Sequence, residues 1–187
     1  MSEIKSVCVY CGSGNGADPA YLSAAKTLGT DLAKAGIRLV YGGGSTGLMG
    51  AVADATLAAG GQVTGIIPQF LQDRERGHTG LTELIVTKDM HERKWAMFEK
   101  SDAFVALPGG IGTLEELIEI LTWAQLGRHT KPVIVANING YWNHLSELIR
   151  YMIAQDFIHS QLQLNPVFTK AAEDILPAVY ATKRQHV

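Results

Sequence analysis

Short apolar runs alternate with amphipathic stretches along the whole chain, and the two repeat lengths differ. Continuous or alternating apolar residues predict strands at Ile4–Tyr10, Ile37–Tyr41, Gln62–Ile67, Glu83–Val86, Ala103–Leu107 and Val133–Asn137, with a weaker one near Val167. Between them the apolar spacing lengthens to that of a helix. The first predicted helix opens behind Asp18-Pro19, an N-cap followed by proline at the first helical position, and stops at Gly36. A second covers Leu48–Ala59 before Gly60-Gly61, and a third covers Met90–Ser101 behind Asp89 as its cap. A fourth runs from Thr113 to Leu126 before Gly127, and others occupy Asn143–Ala154 and Ala171–Tyr180. Strands joined by helices pair in parallel, so the pattern predicts an α/β fold, a doubly wound parallel sheet with helices on both faces.

Ligands on such sheets bind beyond the carboxyl ends of the strands. Three glycine-rich segments fall there: Gly12-Ser13-Gly14-Asn15-Gly16, Gly42-Gly43-Gly44-Ser45-Thr46-Gly47 and Pro108-Gly109-Gly110-Ile111-Gly112-Thr113. All three are expected to line one crevice. The third is the most informative, because it joins an apolar strand to an amphipathic helix. Glycines there admit φ > 0 and close approach of a ligand, while the amide groups and positive dipole end of the new helix favour a phosphate. A strand-to-helix turn needs about one residue with φ > 0, so three glycines exceed the structural requirement. Glu116 follows in the first turn. It reads either as an acid placed for chemistry or as half of a capping box, Thr113-x-x-Glu116. The one long connection, Pro68–Thr82, is polar, and loops of that length are often functional.

Composition narrows the function classes. With 187 residues, 47% hydrophobic and 18% charged, the chain fits one globular domain spanning 1–187. A net charge of −2 with scattered basic residues offers no attraction to nucleic-acid polymers or anionic membranes. No signal peptide or membrane span is legible, and the expected location is cytoplasmic. Cys8 and Cys11 lie on a predicted strand, where residues three apart face opposite sides, so they are expected to stay free thiols and to share no metal. His78, His129, His144 and His159 read as surface or hydrogen-bonded structural residues. Leu114, Leu117, Ile118 and Leu121 have core spacing.

Two nucleotide motifs fail on inspection. Gly12-x-Gly14-x-x-Ala17 matches the dinucleotide fingerprint, but Gly42 stands where an acidic residue should hold the ribose hydroxyls. Gly42-x-x-x-x-Gly47 starts like a P-loop, yet Leu48-Met49 replaces the phosphate lysine and the magnesium-binding hydroxyl. Arg93-Lys94, by contrast, sets two cations near a helix start, where the dipole is already positive and an anion would relieve them. The alternative is a solvated helix face beside Glu92 and Glu99. Arg93 offers a bidentate fork, Lys94 a point charge.

Met90-x-x-Arg93-Lys94 followed by Pro108-Gly109-Gly110-x-Gly112-Thr113-x-x-Glu116 resembles the signature of the LOG ("lonely guy") family, cytokinin riboside 5′-monophosphate phosphoribohydrolases. The likeness extends through Cys11-Gly12-Ser13, Tyr41-Gly42-Gly43-Gly44, Gly47-Leu48-Met49-Gly50 and Thr122-Trp123-Ala124-Gln125-Leu126-Gly127, covering about residues 6–180. It implies a Rossmann-like fold, a homodimer with sites near the interface, and cleavage of the N-glycosidic bond of a purine nucleoside monophosphate without metal or other cofactor. It also implies that Arg93 and Glu116 are the catalytic pair. Glu75, Lys94, Gly109, Gly110, Ile111, Gly112, Thr113, Leu114, Glu115 and Thr122 would contact substrate. The alternative on the same fold is a non-catalytic carrier of a nucleotide-like cofactor. Some relatives carry a lysine decarboxylase label, but no pyridoxal phosphate site with its lysine and pyridinium partner is legible.

Overall fold

The computed structural model describes residues 4–72, 77–158 and 166–185. Seven strands form one parallel sheet: β1 (Ser6–Tyr10), β2 (Arg38–Tyr41), β3 (Val63–Pro68), β4 (Glu83–Thr87), β5 (Ala103–Ala106), β6 (Val133–Ala136) and β7 (Val167–Thr169). Their spatial order is β4-β3-β2-β1-β5-β6-β7. The chain therefore builds outward from β1 in one direction, returns, and builds outward in the other. Register across the centre pairs Val9 with Tyr41 on one side and with Val105 on the other.

The helices are α1 (Pro19–Lys34), α2 (Gly47–Ala58), α3 (Gln69–Gln72), α4 (Met90–Glu99), α5 (Ile111–Gln125), α6 (Asn143–Ala154) and α7 (Ile175–Gln185). Asp18 caps α1 by accepting the Ala20 N–H at 2.8 Å, and Asp89 caps α4 by accepting that of Glu92 at 2.9 Å. The single turn α3 lies inside what the sequence presented as one polar loop. The C-terminal helix is preceded by a separate 3₁₀ turn at Ala172–Asp174. None of the helices is long and apolar enough to cross a membrane among the described residues.

Alternation along the strands divides the core into two layers. Val7, Val9 and Cys11 pack with α1, α2 and α7, while Cys8 and Tyr10 pack with Met97 of α4 and Leu117 and Leu121 of α5. The two cysteines thus face opposite sides of the sheet, as strand geometry requires. Both are free and buried, and burial above all holds their thiols in the protonated form.

His129 fastens the end of α5 to the chain leading into β6. Its Nδ1 accepts the Lys131 N–H at 3.1 Å, so Nε2 carries the proton that reaches the Ile120 carbonyl at 2.9 Å. Burial, against the weaker support of that carbonyl, lowers its pKa below the ordinary value of 6.5. Below that ordinary value the unfolded chain binds a proton that the folded chain resists, so stability declines as pH falls, until the lowered folded pKa is reached. Thermal melts from pH 7 to pH 5 should show this decline, and it should be shallower in His129→Gln. Parallel profiles for the two proteins would show that His129 does not set it.

Candidate active site

Strand order reverses between β1 and β5, and the loops after these two strands part there to leave a crevice. The Gly12 N–H donates to the Pro108 carbonyl at 3.1 Å, tying the loops at their roots. Beyond that tie lies a cavity of about 290 Å³ lined by Gly12–Gly16, Tyr21, Leu48, Pro108–Gly110 and Tyr141. Two of the three glycine segments therefore line the crevice. The middle one does not, because it is used as a support. Gly47 adopts φ 63°, and a Cβ on it would stand 2.3 Å from the Ser13 carbonyl atoms. That close approach lets Leu48 and Met49 donate their N–H groups to the carbonyls of Gly14 and Gly12, at 3.3 and 3.2 Å. The amino end of α2 is thus occupied by protein.

The amino end of α5 is built differently. Its N-cap is Gly110, which has no side chain to satisfy the first amides, and helix geometry gives those amides no intrahelical acceptor. The helix starts at Ile111, two residues before the sequence-based start at Thr113. Thr113 consequently lies inside the first turn, buried against Gly109, and the capping box with Glu116 is not formed. The expected φ > 0 is also absent from Gly109, Gly110 and Gly112. Only Gly109 is required by packing, since a Cβ there would meet Thr113 Oγ1 at 2.1 Å. Side chains on Gly110 and Gly112 would meet nothing within 4 Å. Their bareness keeps space open above the helix end, which is what an incoming anion needs.

Arg93 projects from α4 into the sheet side of this region and is the one charged residue among the buried side chains described. Its Nε donates to the Ile66 carbonyl at 3.1 Å and its Nη2 to the Gly42 carbonyl at 3.4 Å. Nη2 also lies 3.8 Å from Glu116 Oε1. Gly42 is needed for this passage, because a Cβ on it would sit 2.3 Å from Nη2. Glu116 itself is shielded, its side chain only 12% exposed, and its charge helps keep the Cys8 and Cys11 thiols protonated. Side chains on a helix lean toward its amino end, so Glu116 faces back toward the glycine loop. The Glu116 carboxylate and the fixed Arg93 guanidinium thus meet between α4 and α5, while the cavity between the glycine loops is lined by neither of them.

The remaining sequence candidates are distributed around it. Lys94 Nζ pairs with Glu115 at 2.7 Å and Glu119 at 3.0 Å, joining α4 to the outer face of α5. Burial opposes its charge, but the two carboxylates outweigh that and its pKa rises. Thr122 lies exposed on α5 and returns its hydroxyl to the Ile118 carbonyl at 2.7 Å. Ile111 is 81% exposed beside the loop, and Leu114 is partly buried against the core. Glu75 lies outside the described residues. Sequence reading passed over two wall residues, Tyr21 and Tyr141. The signal for Tyr141 was Asn139-Gly140, a turn dipeptide in which both residues have positive φ, 50° and 75°.

The sheet and crevice define a Rossmann-like α/β protein with an uncapped helix end at its switch point. Residues 49–179 match the family described as "Possible lysine decarboxylase". Cytokinin riboside 5′-monophosphate phosphoribohydrolase LOG5 of Arabidopsis thaliana is 50% identical over 157 residues, 84% of this chain and 69% of that protein. A probable enzyme of the same name, LOGL6 of Oryza sativa subsp. japonica, is 43% identical over 186 residues, all of this chain and 74% of that one. The chain belongs to the LOG family. In fold it also resembles the molybdenum cofactor binding protein of Rippkaea orientalis, with a TM-score of 0.70 at 22% identity over 97% of this chain and 98% of that one.

The contrast among the glycines is directly measurable. Gly47→Ala should lower stability by roughly 2 kcal/mol or more, through strain at positive φ and a backbone collision. Gly112→Ala should leave stability unchanged or raise it by up to about 1 kcal/mol, because alanine favours the helix and has room. Denaturant unfolding of both variants checks this, and a destabilised Gly112→Ala would mean the glycine is structural.

Proposed function

We propose that this protein hydrolyses the N-glycosidic bond of purine nucleoside 5′-monophosphates, of adenine or N6-modified adenine, to free base and ribose 5-phosphate. The observation that carries this is the Arg93–Glu116 pair, 3.8 Å apart from two helices, beside a helix end kept bare for a phosphate. The amides of Gly110, Ile111, Gly112 and Thr113 hold the 5′-phosphate. Glu116 lies five residues beyond Ile111, about 7–8 Å along the axis, a reach suited to the ribose that hangs from that phosphate. Its carboxylate takes a proton from water as the oxygen bonds to C1′. The C1′–N9 bond breaks, its electron pair leaves with the purine, and the purine takes up a proton. Carboxylates act in this way on glycosidic bonds generally, and they also stabilise the cationic ribose. Arg93, whose orientation is set by two carbonyls, stabilises negative charge on substrate.

The carrier reading leaves this pair unexplained, since holding a cofactor calls for no shielded carboxylate facing a helix-end anion seat. The test is release of adenine from AMP, with adenosine and Glu116→Gln as controls. AMP should be cleaved and adenosine be nearly inert, because the glycine loop has no guest without phosphate. In Glu116→Gln, kcat should fall by about 10²-fold or more with the fold intact. Comparable kcat/KM for AMP and adenosine, or full activity in the glutamine variant, would sink the proposal.

The proposed assembly is a homodimer in the cytoplasm. Support for the dimer comes from the outer face of α4 and α5, where Trp95, Ile118 and Leu126 are 49%, 41% and 69% exposed and Trp95 leans on Trp123 at 5.8 Å. Lys94 and Thr122 share that face, so a second copy seated there would bring them near a neighbouring site. Light scattering at active concentrations should give twice the chain mass, and Trp95→Glu should give the monomer. A wild-type monomer would overturn the assembly.

A further inference from the structure

Tyr141 stands outside the chemistry described so far, yet the fold spends several contacts on placing it. The link after β6 turns through Asn139 and Gly140, both at positive φ, and is tied down on each side. Asn137 Oδ1 accepts the Trp142 N–H at 2.7 Å, and the Asn139 side-chain amide donates to Asp18 Oδ2 at 2.8 Å. The Tyr141 ring meets Tyr21 edge-on, with centroids 5.3 Å apart, and Tyr21 in turn covers Gly16. So held, the Tyr141 phenol donates a short hydrogen bond of 2.5 Å to the Gly109 carbonyl.

That acceptor matters because of where the peptide lies. The Gly109 carbonyl and the Gly110 N–H belong to one planar trans peptide and point in opposite directions. Fixing the carbonyl fixes the amide that begins the anion seat. Neither flanking residue has a Cβ, so no side chain of its own restrains rotation of this peptide. A rotated peptide would turn a carbonyl dipole toward the phosphate and withdraw an N–H from it. Binding would then be weakened by the fraction of molecules holding the wrong orientation.

We propose that Tyr141 is a positioning residue that locks the Gly109–Gly110 peptide in the orientation that binds the phosphate end of substrate and product. This rests on the phosphate seat of the proposed function. It predicts an effect concentrated at the phosphate end, because the phenol's hydrogen bond goes to the Gly109 carbonyl.

The test is Tyr141→Phe, which removes one oxygen and leaves the ring packing. Calorimetric titration of wild type and variant with ribose 5-phosphate and, separately, with adenine reads the two ends without turnover. Ribose 5-phosphate should bind about five- to tenfold more weakly to the variant, the effect of one hydrogen bond, with adenine unchanged. In the AMP assay KM should rise by a similar factor while kcat stays within about twofold. Equal affinity for ribose 5-phosphate in the two proteins overturns the proposal, as does equal weakening of both ligands, a fall in kcat at constant KM, or unfolding of the variant. A wild type that binds ribose 5-phosphate but cleaves no nucleotide defeats the hydrolase alone, and the Tyr141 comparison still decides. A wild type that binds no ribose 5-phosphate defeats both.

Discussion

Gly12 is used three ways within a single residue. Its N–H holds the Pro108 carbonyl, its carbonyl takes the Met49 N–H at the head of α2, and its Cα lies so close to Gly109 that a Cβ would come within 3.3 Å. These contacts clamp the loops after β1 and β5 together at the point where the sheet changes direction. They also decide which helix end is available. With the carbonyls of Gly12 and Gly14 on the amides of Met49 and Leu48, α2 has no positive end to offer. The clamp brings α5 alongside with its own first amides uncapped by any side chain.

A second constraint follows from burying Arg93. A guanidinium withdrawn from water costs several kcal/mol unless carbonyls and a carboxylate replace its hydration. Ile66, Gly42 and Glu116 do so, and each comes from a different element: β3, the loop after β2, and α5. The arginine thereby links both halves of the sheet across the crevice. The pairing also keeps a negative charge above the end of β1, which reinforces burial in holding the cysteine thiols protonated. Cys8-Val9-Tyr10-Cys11 has the spacing of a redox motif, but its two sulfurs lie in separate core layers under conditions that suppress thiolate.

The same fold at 22% identity belongs to a molybdenum cofactor binding protein, which shows how little the sheet itself decides about chemistry. What distinguishes a hydrolase from a carrier on this scaffold is local. In this chain the local feature is the buried Arg93 guanidinium held 3.8 Å from the shielded Glu116 carboxylate.

The strands and helices were legible because apolar spacing changes between a period of two and one of 3.6, and because Asp18-Pro19, Asp89 and Gly36 punctuate it. The Arg93 and Glu116 signature was legible as well, being short and ordered along the chain. Its geometry was not. Thr113-x-x-Glu116 reads as a cap in one dimension, but the cap dissolves once Gly109 packs on Thr113 and the helix begins at Ile111. All three glycine segments were expected to line one crevice, and only packing divided them into two that line it and one that supports it. Tyr141 reaches Gly109 across 32 residues of chain, a contact no local pattern encodes. The sequence by itself determined the elements and the chemical groups, since both follow from neighbours along the chain. The tertiary structure decided which helix end stays open and which groups meet there, because those outcomes depend on how closely distant backbones can approach.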